Sequence, residues 1–277
     1  MKIRKDHLVS ALIAVDLLGT VSVGSAQIYQ EMFTSSYLTS SGNENLSDIG
    51  WASTGNYGWA GYYDSRTSGS LINTGTGNPV LAPGTAYGAG AAYIGNGNGN
   101  TTYVMALYTD DALGTGTYGY TAFSDINLST PGLQATVLQQ IEQPAGETCT
   151  SYLVIQNGGN WYASASALNT PTSIDPLSSS YGNFDPALLN ISGTAANWVQ
   201  INGWGTSSLS LGSLPGSNLT GMITGVGILE SLNQNGNWDG SFNIADLSIS
   251  QVPEPSPVAL LGLGGFGLIA AYRRRVG

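Results

Sequence analysis

The stretch Tyr152-Leu-Val-Ile-Gln-Asn-Gly-Gly-Asn-Trp-Tyr-Ala-Ser164 decides how this chain folds. Tyr152–Ile155 is a nearly continuous apolar run, which suits a buried central strand. Asn157-Gly158-Gly159 follows, and such residues favour the primed turns that join antiparallel strands. Strand-forming residues resume at Trp161. One hairpin is therefore spelled out, and the chain on both sides repeats the scheme.

Working outward, the pattern predicts strands at Thr150–Gln156 and Trp161–Ser166, preceded by Ile28–Thr34, Thr102–Thr109, Thr117–Ser124 and Leu133–Glu142. Leu188–Ser192, Trp198–Asn202, Ser208–Leu211, Met222–Glu230 and Phe242–Ser250 follow. In the last, the apolar residues Phe242, Ile244, Leu247 and Ile249 shift phase at Ala245-Asp246, the mark of a bulge. Further turn formers sit at Asn96-Gly97-Asn98-Gly99, Asn202-Gly203 and Asn235-Gly236. Long helical periodicity is absent between the two ends, and a short 3₁₀ or helical turn is expected near Asp185–Leu189. The Gly/Ser/Thr/Asn-rich region 64–100 reads as a long loop or as edge strands that carry little core. Together these signals predict an all-β body at residues 27–251, an antiparallel two-sheet sandwich of jelly-roll type.

The ends have a different character. Residues 1–26 read as a signal peptide: Lys2, Arg4 and Lys5, an apolar segment from Leu8, then Gly24-Ser25-Ala26. Asp16 interrupts the apolar segment, and a carboxylate there weakens insertion. At the other end, residues 252–277 contain Pro253-Glu254-Pro255, an uncharged run Val258–Tyr272, and Arg273-Arg274-Arg275. The prolines end the preceding strand, because proline cannot donate to a ladder. As a helix the run would reach about 22 Å at ~1.5 Å per residue, short of the ~30 Å hydrocarbon core unless Pro257, Tyr272 and the arginines extend it. The positive-inside rule would keep the arginines cytoplasmic. An ordinary C-terminal membrane anchor is one reading of this segment.

The same three parts in the same order resemble the PEP-CTERM sorting signal of exported Gram-negative bacterial proteins. That resemblance implies recognition by an exosortase, with Pro253, Glu254 and Pro255 as the motif and Val258–Tyr272 as a transient span. It also implies delivery through the Sec translocon and inner membrane to the cell surface or extracellular matrix, in association with extracellular polysaccharide. The segments Tyr152–Ser164, Ile223–Ile228 and Phe242–Ile249 are similar to strands in jelly-roll bodies of that group, which look like lectin-type or carbohydrate-binding-module sandwiches.

Charge removes several functions from consideration. The span 27–252 keeps one base, Arg66, against fourteen acids, a net charge of about −13. Nothing there can neutralise phosphates, so nucleic acid and anionic lipid are not expected partners. The one histidine, His7, lies in the leader, so the body has no imidazole base or imidazole metal ligand. Cys149 is the single cysteine, so no intrachain disulfide forms. Without histidine its usual activating partner is missing, and a buried filler is the expected role.

Candidate sites are aromatic first. Exposed aromatic rings bind sugars because the C–H face of a pyranose packs on a π-system while amides and carboxylates bond its hydroxyls. Trp51, Trp59, Tyr62, Trp204 and Trp238 lie beside glycines and small polar residues, and Asp239 pairs an acceptor with Trp238. Trp161 and Trp198, inside clear strands, are expected in the core. For any one tryptophan the competing reading is core packing. Asp110-Asp111, at the end of a strand, offers hard oxygen ligands for a structural calcium ion, against the simpler reading of solvated turn residues. No cofactor is otherwise required. A glycosidase would need two facing carboxylates, drawn from Glu142, Glu147, Glu230 and Asp246. The expectation is a non-catalytic glycan-binding or adhesive module, with a purely structural matrix protein as the alternative.

Overall fold

The computed structural model describes residues 25–31, 33, 43–44, 46–56, 59–63, 91–96, 102–116, 122–142, 148–168, 185–233 and 240–252. Among them there is no α-helix, and two antiparallel sheets stack face to face.

In order the strands are β1 (Ala26–Glu31), β2 (Asn43–Glu44), β3 (Ala52–Gly55), β4 (Trp59–Tyr63), β5 (Ala91–Asn96), β6 (Thr102–Asp110), β7 (Ile126–Asn127) and β8 (Leu133–Glu142). Then come β9 (Thr148–Asn157), β10 (Asn160–Ser164), β11 (Asp185–Asn190), β12 (Trp198–Asn202), β13 (Ser210–Leu211), β14 (Met222–Asn233) and β15 (Gly240–Gln251). The seven-stranded sheet runs β11-β8-β15-β5-β4-β2, with β1 also on β15. The eight-stranded sheet runs β13-β12-β10-β9-β14-β6-β3, with β7 also on β14.

The hairpin legible at Tyr152–Ser164 is β9–β10. Asn157 pairs with Asn160 across Gly158 and Gly159, whose φ of 58° and 76° make the primed turn the strand twist requires. Leu153 and Ile155 point inward with Tyr162, while Tyr152, Val154, Trp161 and Ala163 point outward. β9 is indeed central, between β10 and β14.

The bulge is where the apolar phase shift placed it. β15 slips register against β8 between Ile244 and Asp246. The extra residue keeps Ile244, Leu247 and Ile249 on the inner face, each fully buried. β5 and β1 share the other edge of β15 end to end, pairing with Gly240–Ile244 and Leu247–Gln251.

Three expectations need correction. Residues 122–124 of the expected strand Thr117–Ser124 carry no ladder, and 117–121 lie outside the described residues. Phe123 instead plugs the core, 4% exposed and edge-on to Tyr29 at 5.2 Å. The turn expected near Asp185–Leu189 is strand β11, because β8 offers it a full ladder and the core takes Ala187. Within 64–100, residues 91–96 form β5, an interior strand between β15 and β4, and the rest lies outside the described residues. β3 and β4, where the sequence pattern predicts no strand, are strands as well.

The inter-sheet core contains polar groups. Ser151 Oγ donates across the sandwich to Gln139 Oε1 at 3.0 Å. Beside it Glu230 is fully buried on β14, and Cys149 Sγ donates to its Oε1 at 2.9 Å. Cys149 therefore fills the core as expected and supplies a hydrogen bond too.

Candidate functional site

The outward face of the eight-stranded sheet carries a second apolar cluster, separate from the inter-sheet core. Its geometry follows from register. Trp161, Gln156, Gly225 and Asp110 form one row across β10, β9, β14 and β6, and Ala163, Val154, Gly227 and Tyr108 form the next. The middle of each row is small on β14, so large rings on the flanks can lean inward. Trp161 does so: a Cβ on Gly225 would lie 2.8 Å from its Cη2.

Trp204 completes the group from the loop after β12. It stacks on Trp161 with centroids 4.0 Å apart and planes 10° from parallel. Tyr108 meets both edge-on, at 5.0 Å from Trp161 and 4.9 Å from Trp204. Gly203 and Gly205 flank Trp204 at φ of 71° and 77°, so the loop turns back over the sheet where other residues would be strained. Gly205 N donates to Thr54 Oγ1 on β3 at 3.0 Å.

That bond reveals the sheet's shape. β12 and β3 are five strand spacings apart, about 24 Å if flat. Gly205 is three residues beyond β12, a reach of roughly 10 Å. The sheet therefore curls toward this face, which is concave. Trp161 is 4% exposed, while Trp204, Tyr108 and Tyr152 are half-buried. Trp161 covers one face of Trp204, and the ring as a whole keeps part of its surface accessible. Thr224 Oγ1 bonds Gln156 Oε1 at 2.7 Å beside the rings, so hydroxyl and amide groups border the aromatic floor.

The expected site residues are distributed unevenly. Trp204 is in this cluster. Trp51 is not: it is 1% exposed, packed edge-on to Phe33 at 4.8 Å, which corrects the expectation of an exposed stacking face there. Trp59 and Tyr62 sit in β4 of the other sheet, and their side chains lie outside the described residues. Trp238 and Asp239 lie outside them as well, as do Pro253, Glu254, Pro255, Arg273, Arg274 and Arg275. Trp198 is core, 1% exposed, its Nε1 donating to Ser192 O at 2.7 Å. Trp161 is buried, as expected, though in this second cluster rather than between the sheets, and Tyr108 is the residue that sequence reasoning missed. Trp161 alternates out of phase with inward Tyr162, and Gly225 and Gly227 at alternate positions of β14 signal room for a ring.

Among the described residues the acids do not converge on a metal site. Asp110 Oδ1 accepts the backbone N–H groups of Ala112 and Leu113 at 3.1 and 3.0 Å, which makes it a turn brace. Asp111 is exposed beside it. Among the described residues no three His, Cys, Asp or Glu side chains group as metal ligands. Glu230 lies between the sheets, whereas Asp246 pairs across from Leu138 on the outer face of the seven-stranded sheet. Burial pushes the Asp246 carboxyl up, and Gln30 Nε2, bonded to its Oδ2 at 3.0 Å, opposes the shift. Glu142 and Glu147 side chains lie outside the described residues.

Residues 251–275 match the PEP-CTERM protein-sorting motif. The chain therefore carries the signal of an exported, exosortase-processed protein. No curated protein matches it in sequence. Among solved structures it is similar to PfGH50B, at 12% identity over 80% of this chain and 25% of that one, with a TM-score of 0.34. It is also similar to TmCBM61 in complex with β-1,4-galactotriose, at 10% identity over 76% of this chain and 96% of that one, with a TM-score of 0.27. The chain spans about a quarter of the length of the first of these.

Proposed function

We propose that the body is a non-catalytic glycan-binding module whose ligand stacks on Trp204 in the concave face of the eight-stranded sheet. The observation that carries this reading is the Trp161–Trp204 stack braced by Tyr108. A ring held flat against another ring is preorganised, so little side-chain entropy is lost when a sugar packs on it. Amide and hydroxyl groups nearby suit sugar hydroxyls, and a face with no base among its described residues suits a neutral polymer. On this reading the protein leaves through Sec, guided by the leader at 1–26, and works at the cell surface or in the extracellular polysaccharide. The jelly-roll connectivity of the body is part of the same reading. No cofactor is needed, and a calcium ion at Asp110-Asp111 is not part of it, because Asp110 already braces its own turn.

Affinity electrophoresis in neutral polysaccharides tests the proposal. Trp204→Ala is expected to weaken retention at least several-fold, in keeping with the roughly 1 kcal/mol or more that an aromatic stack contributes. Unretained wild-type protein in every neutral polysaccharide, or an unaffected Trp204→Ala, would defeat the reading.

A second reading has its own support. Trp161 is nearly inaccessible and the 203–209 loop is fastened to Thr54, so the cluster also makes sense as packing that closes one side of a structural matrix protein. Acrylamide quenching separates the two. A glycan site leaves Trp204 open to the quencher in the free protein and shielded when ligand is added. Pure packing shields it throughout.

A further inference from the structure

The two ends of the body leave from one corner. Ala26, the first residue of β1, pairs with Gln251, the last of β15. Leu133, the first of β8, pairs with Gln251 from the other side. Val252 N then donates to Gly132 O at 2.8 Å. Gly132 sits so close that a Cβ there would lie 2.1 Å from Val252 O. The chain is thus clamped up to the residue before Pro253, and the matched sorting motif begins inside the last strand, at residue 251. Pro253–Pro255 can reach no more than about 10 Å beyond Val252. An enzyme of ordinary size that takes these residues into its cleft must come against the folded corner.

The corner is suited to such contact. Its segments Ser25–Ile28, Leu128–Leu133 and Ile249–Val252 contain no charged residue, in a body with fourteen acids. The nearest charge along these segments is Glu254 of the sorting motif itself, followed by Glu31, which is buried, Asp125 and Asp246. Ile28 and Val252 expose apolar surface there, 37% and 41% accessible. The expected leader would also join the body at this corner, beside the motif.

We propose that the exosortase docks on this uncharged corner, formed by the start of β1, the 128–133 turn and the end of β15, and so reads the folded body together with the motif. The proposal rests on the sorting motif alone and is independent of the glycan reading. A carboxylate placed at the corner would have to be desolvated on docking, at a cost of kcal/mol order unless paired.

The test follows processing of the full chain by pulse-chase in cells that contain the exosortase. Gln27→Glu combined with Ser129→Glu puts two acids on exposed corner positions, and Ser210→Glu on edge strand β13 of the other sheet is the control. The corner variant is expected to be processed at least about fivefold more slowly than wild type, and the control within roughly twofold. A ten-residue Gly/Ser insertion between Val252 and Pro253 in the otherwise wild-type chain parts the motif from the docking corner and is expected to slow processing to a similar degree. Wild-type processing of the corner variant overturns the proposal, and is the result expected if β15 peels back to feed the enzyme. Full-rate processing of the wild-type body that carries the insertion overturns it too. Thermal midpoints of the variants exclude a folding defect, and should one substitution lower the midpoint, the other is read alone.

Discussion

Replacing Glu230 with glutamine is expected to raise the stability of the body at pH 8 and to flatten its dependence on pH. The carboxyl lies fully buried between the sheets, and burial pushes it from 4.5 up to about 8, opposed only by the Cys149 hydrogen bond. Its Oε2 meets no partner among the described residues. A neutral acid is tolerable there, whereas a carboxylate is not. The folded state therefore binds a proton that the unfolded chain releases between pH 4.5 and about 8. Linkage gives the sign. The stabilising contribution is complete below about pH 4.5 and is lost as the pH rises through about 8. At ~1.4 kcal/mol per unit, the full swing is on the order of 5 kcal/mol. Glutamine keeps the shape and cannot ionise. Urea denaturation of wild type and Glu230→Gln at intervals from pH 4 to 9 checks the prediction. Parallel stability curves for the two proteins would refute it.

Gly227→Ala is expected to prevent folding or to cost several kcal/mol. A Cβ at this position would lie 2.2 Å from Leu107 O and 2.7 Å from Tyr108 Cα, with Tyr108 Cβ at 2.8 Å. Two of these atoms are backbone of β6, so no rotamer change relieves the overlap. β14 and β6 would have to separate along a nine-residue pairing that runs through the middle of the sheet. Tyr108 would be displaced with them and the ring cluster dismantled. Ala163→Gly, in the same outward row, removes a methyl without adding one and is expected to cost about 1 kcal/mol. Soluble yield and thermal midpoints of the two variants give the comparison. A Gly227→Ala protein as stable as wild type would show that the strands can give way.

Glu230 also shows where sequence reading fails. Its position among Ile228, Leu229 and Leu232 marks a strand but not which face it takes, and a carboxylate in such a run reads as a catalytic candidate. Only the register of β14 against β9 places it opposite Ser151, inside the core. Trp51 behaves similarly. Glycine neighbours suggest an open loop, yet the chain folds so that Phe33 covers the ring. Trp161 is buried as its place in a strand suggests, but only the pairing with Gln156 and the glycine beyond it shows that its ring lies on the outer face. Trp204 was legible as a candidate because glycines on both sides mark a turn, though nothing local indicates what it will stack upon.

What the amino-acid order determined by itself was local or linear. The Asn-Gly-Gly turn fixes a hairpin because few residues accept positive φ. The apolar phase shift at Ala245-Asp246 fixes a bulge because side chains alternate. The sorting motif is read in a line of consecutive residues. Tertiary structure decided everything that needs two distant segments at once: the concave face, the ring stack, the buried acid and the shared corner of the two ends. Those depend on which strands become neighbours, a choice made by the summed burial of the whole core rather than by any single stretch.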